Sequence, residues 1–301
     1  MWKTYCAVIF IRVKMEENPL PKGMVRLRKQ DRFERNMLLD LVEVREDGIT
    51  VQGNLYEEFN NVYGIAHGGY LYTISHISAQ MTGDLSLGGR WDVKNAECIY
   101  LHPLRLYPAR VDTFWVNREE QYPLVRAEVR DNKGVLCFEM NCTLSRAEPE
   151  PKEAVKHTPT IITDRRLPKD PDEEPQFPCL SSTFSKWLDI FSTSKTDEII
   201  IYSADLTDKN CTESGYLHPA VMFTAADCAA GGCLFYIDKK RPITVSANIH
   251  YLKRTFCGPV HAISRPVRKG RILNFFDVDL IDGNGICVAT SQFVIQHMDH
   301  K

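Results

Sequence analysis

The 301-residue chain has almost no charge imbalance: 37 Lys and Arg stand against 39 Asp and Glu, a formal net charge of -2. That balance gives no overall electrostatic case for nucleic acid or an anionic membrane as partner. Long apolar runs are missing too. A stretch such as Cys6 to Ile11 is far below the roughly 20 apolar residues that cross a bilayer. Charged residues follow it with no small-residue cleavage site, so no secretory signal is read and a soluble, cytoplasmic protein is expected. The ten cysteines include no CxxC pair, and the closest, Cys137 with Cys142 and Cys228 with Cys233, read as free thiols in a core. The nine histidines form neither HxH nor HExxH, and no metal is expected. With 44% hydrophobic and 25% charged residues, wholesale disorder is excluded.

Proline is present but unevenly placed. Seven of the 16 prolines fall between Pro149 and Pro178, in a charged stretch without sustained apolar periodicity. Proline removes a backbone donor and fixes φ, so this segment is expected to be a linker, outside any central strand or helix interior. The expected division is an N-terminal extension over 1–36, a first domain over 37–146, a linker over 147–179 and a second domain over 180–301.

The two halves align on each other at one offset, 151, without gaps from about Ile49 to Thr143. Identical pairs include Gly64 with Gly215, His67 with His218, Thr73 with Thr224, Tyr100 with Tyr251, Pro108 with Pro259, Asp131 with Asp282 and Gly134 with Gly285. They fall on turns, on the start of a helix and on one strand, which argues for duplication of a structural unit. Each copy reads as an alternating strand, a Gly/His turn, a helix and further strands. The helix carries Leu71, Ile74, Ile77 and Met81 in the first copy and Val221, Ala225 and Cys228 in the second. DNKG and DGNG mark hairpins with glycine where φ must be positive. One helix among some five antiparallel strands, twice, is an α+β architecture.

This plan, with Asn61-Val-Tyr-Gly64-Ile-Ala-His67-Gly68-Gly69 opening the first helix, resembles the hotdog-fold acyl-CoA thioesterases of the phenylacetate (PaaI-like) and 4-hydroxybenzoyl-CoA type. The resemblance implies two tandem hotdogs, each an antiparallel sheet wrapped around a helix, paired with active sites between them. It also implies an acidic residue nine positions after the histidine; the first copy has His76 there and the second has Asp227. Nine residues of helix span about 13 Å, so one helix cannot present both its start and that carboxylate to one carbonyl. Completeness therefore has to come from both copies. The resemblance implies catalytic roles for Asp227 as base or nucleophile, Gly68 as N–H donor to an oxyanion, Asn61 as a carbonyl- or water-orienting group and Thr244 as partner of the acid. His67 is a candidate for shaping the loop or taking part directly. In the equivalent positions stand His76, Pro219, Thr212 and Val93, and proline has no N–H to donate, so one complete site and one relic are expected.

Arg268, Lys269 and Arg271, beside a strand turn, are candidates for contact with coenzyme A phosphates, a solvated basic loop being the plainer reading. Coenzyme A enters as part of the substrate, with no separate cofactor, and a homodimer of double hotdogs is a further expectation from the resemblance. The expected activity is hydrolysis of an acyl-CoA or related thioester. Two alternatives stand beside it. One is dehydration of a 3-hydroxyacyl thioester, suggested by Leu217-His218-Pro219-Ala220, and the other is acyl-thioester binding without turnover.

Overall fold

The structure, a computed structural model, describes residues 32–54, 57–61, 63–149, 183–195, 199–237 and 241–298. The Pro-rich linker and most of the proposed N-terminal extension lie outside the described residues. The first half runs α1 (Arg32–Asn36), β1 (Leu39–Val44), β2 (Ile49–Gly53), α2 (Gly68–Leu87), β3 (Trp91–Tyr100), β4 (Ala109–Asn117), β5 (Leu124–Arg130) and β6 (Leu136–Arg146). The second runs α3 (Thr183–Trp187), β7 (Ile190–Lys195), β8 (Ile200–Ala204), α4 (Pro219–Gly232), β9 (Arg241–Tyr251), β10 (Val260–Lys269), β11 (Leu273–Ile281) and β12 (Cys287–Met298). No described helix is long and apolar enough to cross a membrane.

All twelve strands form one antiparallel sheet in the order β1-β2-β4-β5-β6-β3-β9-β12-β11-β10-β8-β7. Read from either edge, the order of equivalent strands is the same, and the halves meet where β3 pairs with β9. Glu97 faces Asn248 across that pair, and these two positions are themselves 151 apart. So are Tyr72 and Phe223, whose rings stack at 3.7 Å and 6° between the two long helices. A pseudo-twofold axis therefore passes through both contacts.

The offset holds well beyond the span legible in sequence. Equivalents at 151 include α1 and α3, β1 and β7, and β2 and β8 residue for residue, the positive-φ residues Leu38 and Asp189, and the cis bonds before Pro108 and Pro259. The correspondence thus reaches back to residue 32, inside the segment read as an extension. Each half has six strands, one more than the pattern predicted. The added strand, LDLVEV in the first half and IFSTSK in the second, lies at a sheet edge, where partial exposure blurs the alternation that identifies a strand.

Helices α2 and α4 lie between the sheet and each other, so they are buried nearly all round and show almost no amphipathic stripe. Their polar side chains are satisfied locally: the hydroxyls of Thr73, Ser75, Ser78, Thr82 and Thr224 donate to the carbonyl four residues back, at 2.6 to 2.9 Å. Close approach of the helices needs Gly69, where a side chain would collide with Thr224. That contact places the start of α2 against the middle of α4.

Candidate active site

The first turn of α2 has one backbone donor to spare. His67 caps the helix, its Nδ1 accepting from the Gly69 N–H at 2.9 Å, and its carbonyl accepts from the Tyr70 and Leu71 N–H groups at 2.9 and 3.1 Å. The Gly68 N–H donates to no described residue, at the positive end of a 20-residue helix. His67 is buried, and burial lowers its pKa to about 4. It is therefore neutral near pH 7 with Nδ1 committed to the backbone, and Nε2 lies 4.0 Å from the Cys228 sulfur. A histidine held in this way is a cap and has no free lone pair with which to act as a base.

Facing that start is Asp227 of α4. A methyl group placed on Gly68 would come within 3.0 Å of Asp227 Oδ2 and 3.2 Å of the Tyr100 hydroxyl. The other carboxylate oxygen, Oδ1, accepts from Thr244 Oγ1 of β9 at 2.7 Å. Burial raises the Asp227 pKa to about 6, partly offset by the Thr244 bond. Tyr100 donates to the Gly68 carbonyl at 3.1 Å, fixing the turn that carries the spare donor. Cys98 and Cys228 complete the surroundings; burial, and then the Asp227 charge, holds both thiols above their ordinary range.

The fold thus brings together Gly68 and His67 from the first half with Asp227 and Thr244 from the second. Asn61 sits in the loop before α2 as a turn residue. Its Oδ1 accepts from the Tyr63 and Ile65 N–H groups at 2.9 and 3.4 Å, and its own N–H donates to the Ile65 carbonyl at 2.7 Å. Its side-chain oxygen is thereby engaged in shaping the loop. Arg268, Lys269 and Arg271 are exposed at the β10–β11 turn. One register row links them to the site through Thr244, Ile295, Asn274 and Lys269, three strand spacings or about 14 Å. Sequence reasoning gave no role to Tyr100, Cys98 or Cys228. The identity of Tyr100 with Tyr251 was the available signal, and it was read only as a mark of duplication.

The pseudo-twofold generates a second constellation. Pro219 replaces Gly68, His76 replaces Asp227, Val93 replaces Thr244, and Ile249 and Ile77 replace Cys98 and Cys228. The scaffold is retained: His218 Nδ1 accepts from the Ala220 N–H at 3.2 Å and Tyr251 donates to the Pro219 carbonyl at 2.9 Å. His76 is fully buried, its ring 5.4 Å from that of His218 and 5.9 Å from that of Tyr251.

The architecture is that of a hotdog-fold protein. The chain has a TM-score of 0.63 with a proposed thioesterase II from Thermobifida fusca YX, at 15% identity over 91% of this chain and 100% of that one. With a conserved hot dog fold protein from Alicyclobacillus acidocaldarius the score is 0.62, at 10% identity over 86% and 96%. With the acyl-CoA thioesterase II of Mycobacterium marinum it is 0.58, at 10% identity over 87% and 97%. At these identities the likeness speaks for the fold. In sequence, residues 214–289 match the family model of the thioesterase superfamily, and no curated protein matches the chain. The chain therefore resembles the hotdog-fold thioesterases in fold throughout and in sequence over residues 214–289. The matched segment contains Asp227 and Thr244; Gly68 and Asn61 lie outside it.

Proposed function

We propose that the protein is a tandem double hotdog that hydrolyses an acyl-CoA, or a closely related acyl thioester, at one composite site between its halves. The observation that carries this reading is the spare Gly68 N–H opposed to the buried Asp227 carboxylate, a donor and a base presented to one point from two different halves. In the reaction the thioester carbonyl oxygen accepts from Gly68. Asp227 Oδ2 takes a proton from water as the water oxygen bonds to the carbonyl carbon, and the oxyanion that develops is held at the helix start. Collapse breaks the carbon–sulfur bond, and the departing thiolate takes the proton back from the Asp227 carboxyl group. Thr244 orients the carboxylate through Oδ1 and leaves Oδ2 for water. A carboxyl group with a pKa near 6 is ionised at pH 7 and is a stronger base than an exposed one. Coenzyme A enters as part of the substrate and no other cofactor takes part.

The test is incubation with a panel of acyl-CoA and 3-hydroxyacyl thioesters, reading free thiol against unsaturated product. Release of thiol supports hydrolysis. An unsaturated product would instead establish a dehydratase, and tight binding without either product a binding protein.

A further inference from the structure

The two constellations also differ at their rims, and that difference has no part in the chemistry just described. Arg254, three residues after Tyr251, forms a 2.7 Å ion pair with Asp92, the residue before Val93. Both side chains are largely buried, at 12% and 14% exposure. The Arg254 guanidinium also lies 4.7 Å over the Tyr216 ring and donates to the Glu148 carbonyl at 3.1 Å. The pair therefore ties the second half to the first directly beside Val93 and Tyr251 of the counterpart site. A stacked, multiply hydrogen-bonded arginine is held far more firmly than a surface ion pair. At the equivalent rim of the Asp227 site stand Pro103 and Ile243. Both are exposed, neither carries charge, and they cannot bridge.

We propose that the Arg254–Asp92 pair seals the rim of the counterpart site, and that the unbridged gap between Pro103 and Ile243 is the entrance through which the thioester reaches Asp227. The proposal deepens the hydrolase reading and rests on it. The seal explains how a duplicated chain can keep a second, acid-free constellation without exposing its buried His76 and Tyr251 to substrate.

Transplanting the seal tests the entrance. The paired variant P103R/I243D should lower kcat/KM for acyl-CoA at least about tenfold, chiefly through KM, since closing an entrance costs binding before it costs chemistry. P103D/I243D, which is as polar but cannot pair, should lose at least about fivefold less. A folded P103R/I243D enzyme with wild-type kcat/KM, or equal losses in both variants, overturns the entrance. The seal has its own readout. A cysteine placed at the buried Val93 should react with a small methanethiosulfonate reagent at least about tenfold faster when Arg254→Ala is added. Equal rates at position 93 overturn the seal. Asp227→Asn separates the two levels of the argument: an active Asp227→Asn enzyme refutes the hydrolase mechanism, whereas an inactive one with an unaffected P103R/I243D refutes the entrance alone.

Discussion

The composite site and its pseudo-symmetric counterpart share a backbone and differ in five side chains. Both have a histidine cap that accepts from the N–H two residues on, and both have a tyrosine that grips the first helical carbonyl. These shared groups hold the helix start, so retaining them in both places is what stability of the fold demands. The groups that differ are the ones with chemistry to perform. Gly68 offers an N–H where Pro219 offers none, Asp227 offers a buried carboxylate where His76 stands, and Thr244 holds that carboxylate where Val93 cannot. Cys98 and Cys228 are smaller than Ile249 and Ile77 and leave more space beside the acid. Duplication let one frame serve twice, with the reactive set divided so that each half supplies what the other lacks. Either half alone is therefore expected to be inactive even if it folds.

Asp227→Asn breaks the comparison most deeply. Loss of a general base should lower kcat by about a thousandfold, measured as thiol release at saturating acyl-CoA. The same variant carries a stability signature of opposite sign. In the folded state the carboxyl pKa is about 6, above the ordinary value near 3.8. Between those values the folded protein holds the proton more tightly, so the wild type loses stability as pH rises from about 4 to 6. Asp227→Asn escapes this loss and should be more stable by about 3 kcal/mol at pH 7, a gain that fades below pH 4. Denaturant midpoints at the two pH values check it, and a gain that does not depend on pH would contradict the raised pKa.

Next is the helix start. Gly68→Pro installs the counterpart residue and removes the donor, and kcat should fall at least about a hundredfold. Part of that loss would come from bulk, because any side chain at position 68 presses on Asp227 Oδ2 and the Tyr100 hydroxyl. Gly68→Ala keeps the N–H but adds the same bulk, and a loss of about tenfold is expected there. Equal kcat values for the two variants would show that the N–H is not the oxyanion donor.

How much of this was legible in the sequence follows from the same contrast. The 151-residue offset exposed the duplication because turn glycines, the histidine cap and the strand Tyr-Leu are fixed by backbone geometry, which both halves share. It also sorted the site, since a carboxylate inside the uncharged run VMFTAADCAAGG requires a partner or a task. The edge strands β1 and β7 were not legible, because a half-exposed edge has no clean alternation. Cys98 could not be placed either: β3 carries a bulge between Val93 and Asn95, which resets the side-chain alternation that a sequence reading relies on. The Arg254–Asp92 pair joins residues 162 apart, and nothing local predicts such a contact.

Thr244→Val makes the site resemble its counterpart at a single position and should cost about tenfold in kcat/KM. The sharper readout is pH. The Thr244 bond lowers the Asp227 pKa against the upward pull of burial, so its removal leaves burial unopposed. The limb on which activity rises with pH should then move to higher pH in Thr244→Val than in the wild type, where it is centred near 6. A loss of rate with the limb unmoved would mean that Thr244 acts on the substrate and not on the acid.

His76→Ala is the smallest expected effect and the one that most directly tests whether the counterpart is inert. His76 occupies the position of Asp227 but lies against the rings of His218, Tyr72 and Tyr251, where it packs and does not face a spare donor. Truncating a fully buried ring leaves a cavity and should destabilise by about 2 to 4 kcal/mol. The Asp227 site is built from other side chains, so kcat/KM measured well below the variant's melting temperature should change by less than about twofold. A loss in kcat comparable to that of Asp227→Asn, in a protein still folded by its melting curve, would mean that the two constellations act together and that the division into a working site and a relic is wrong.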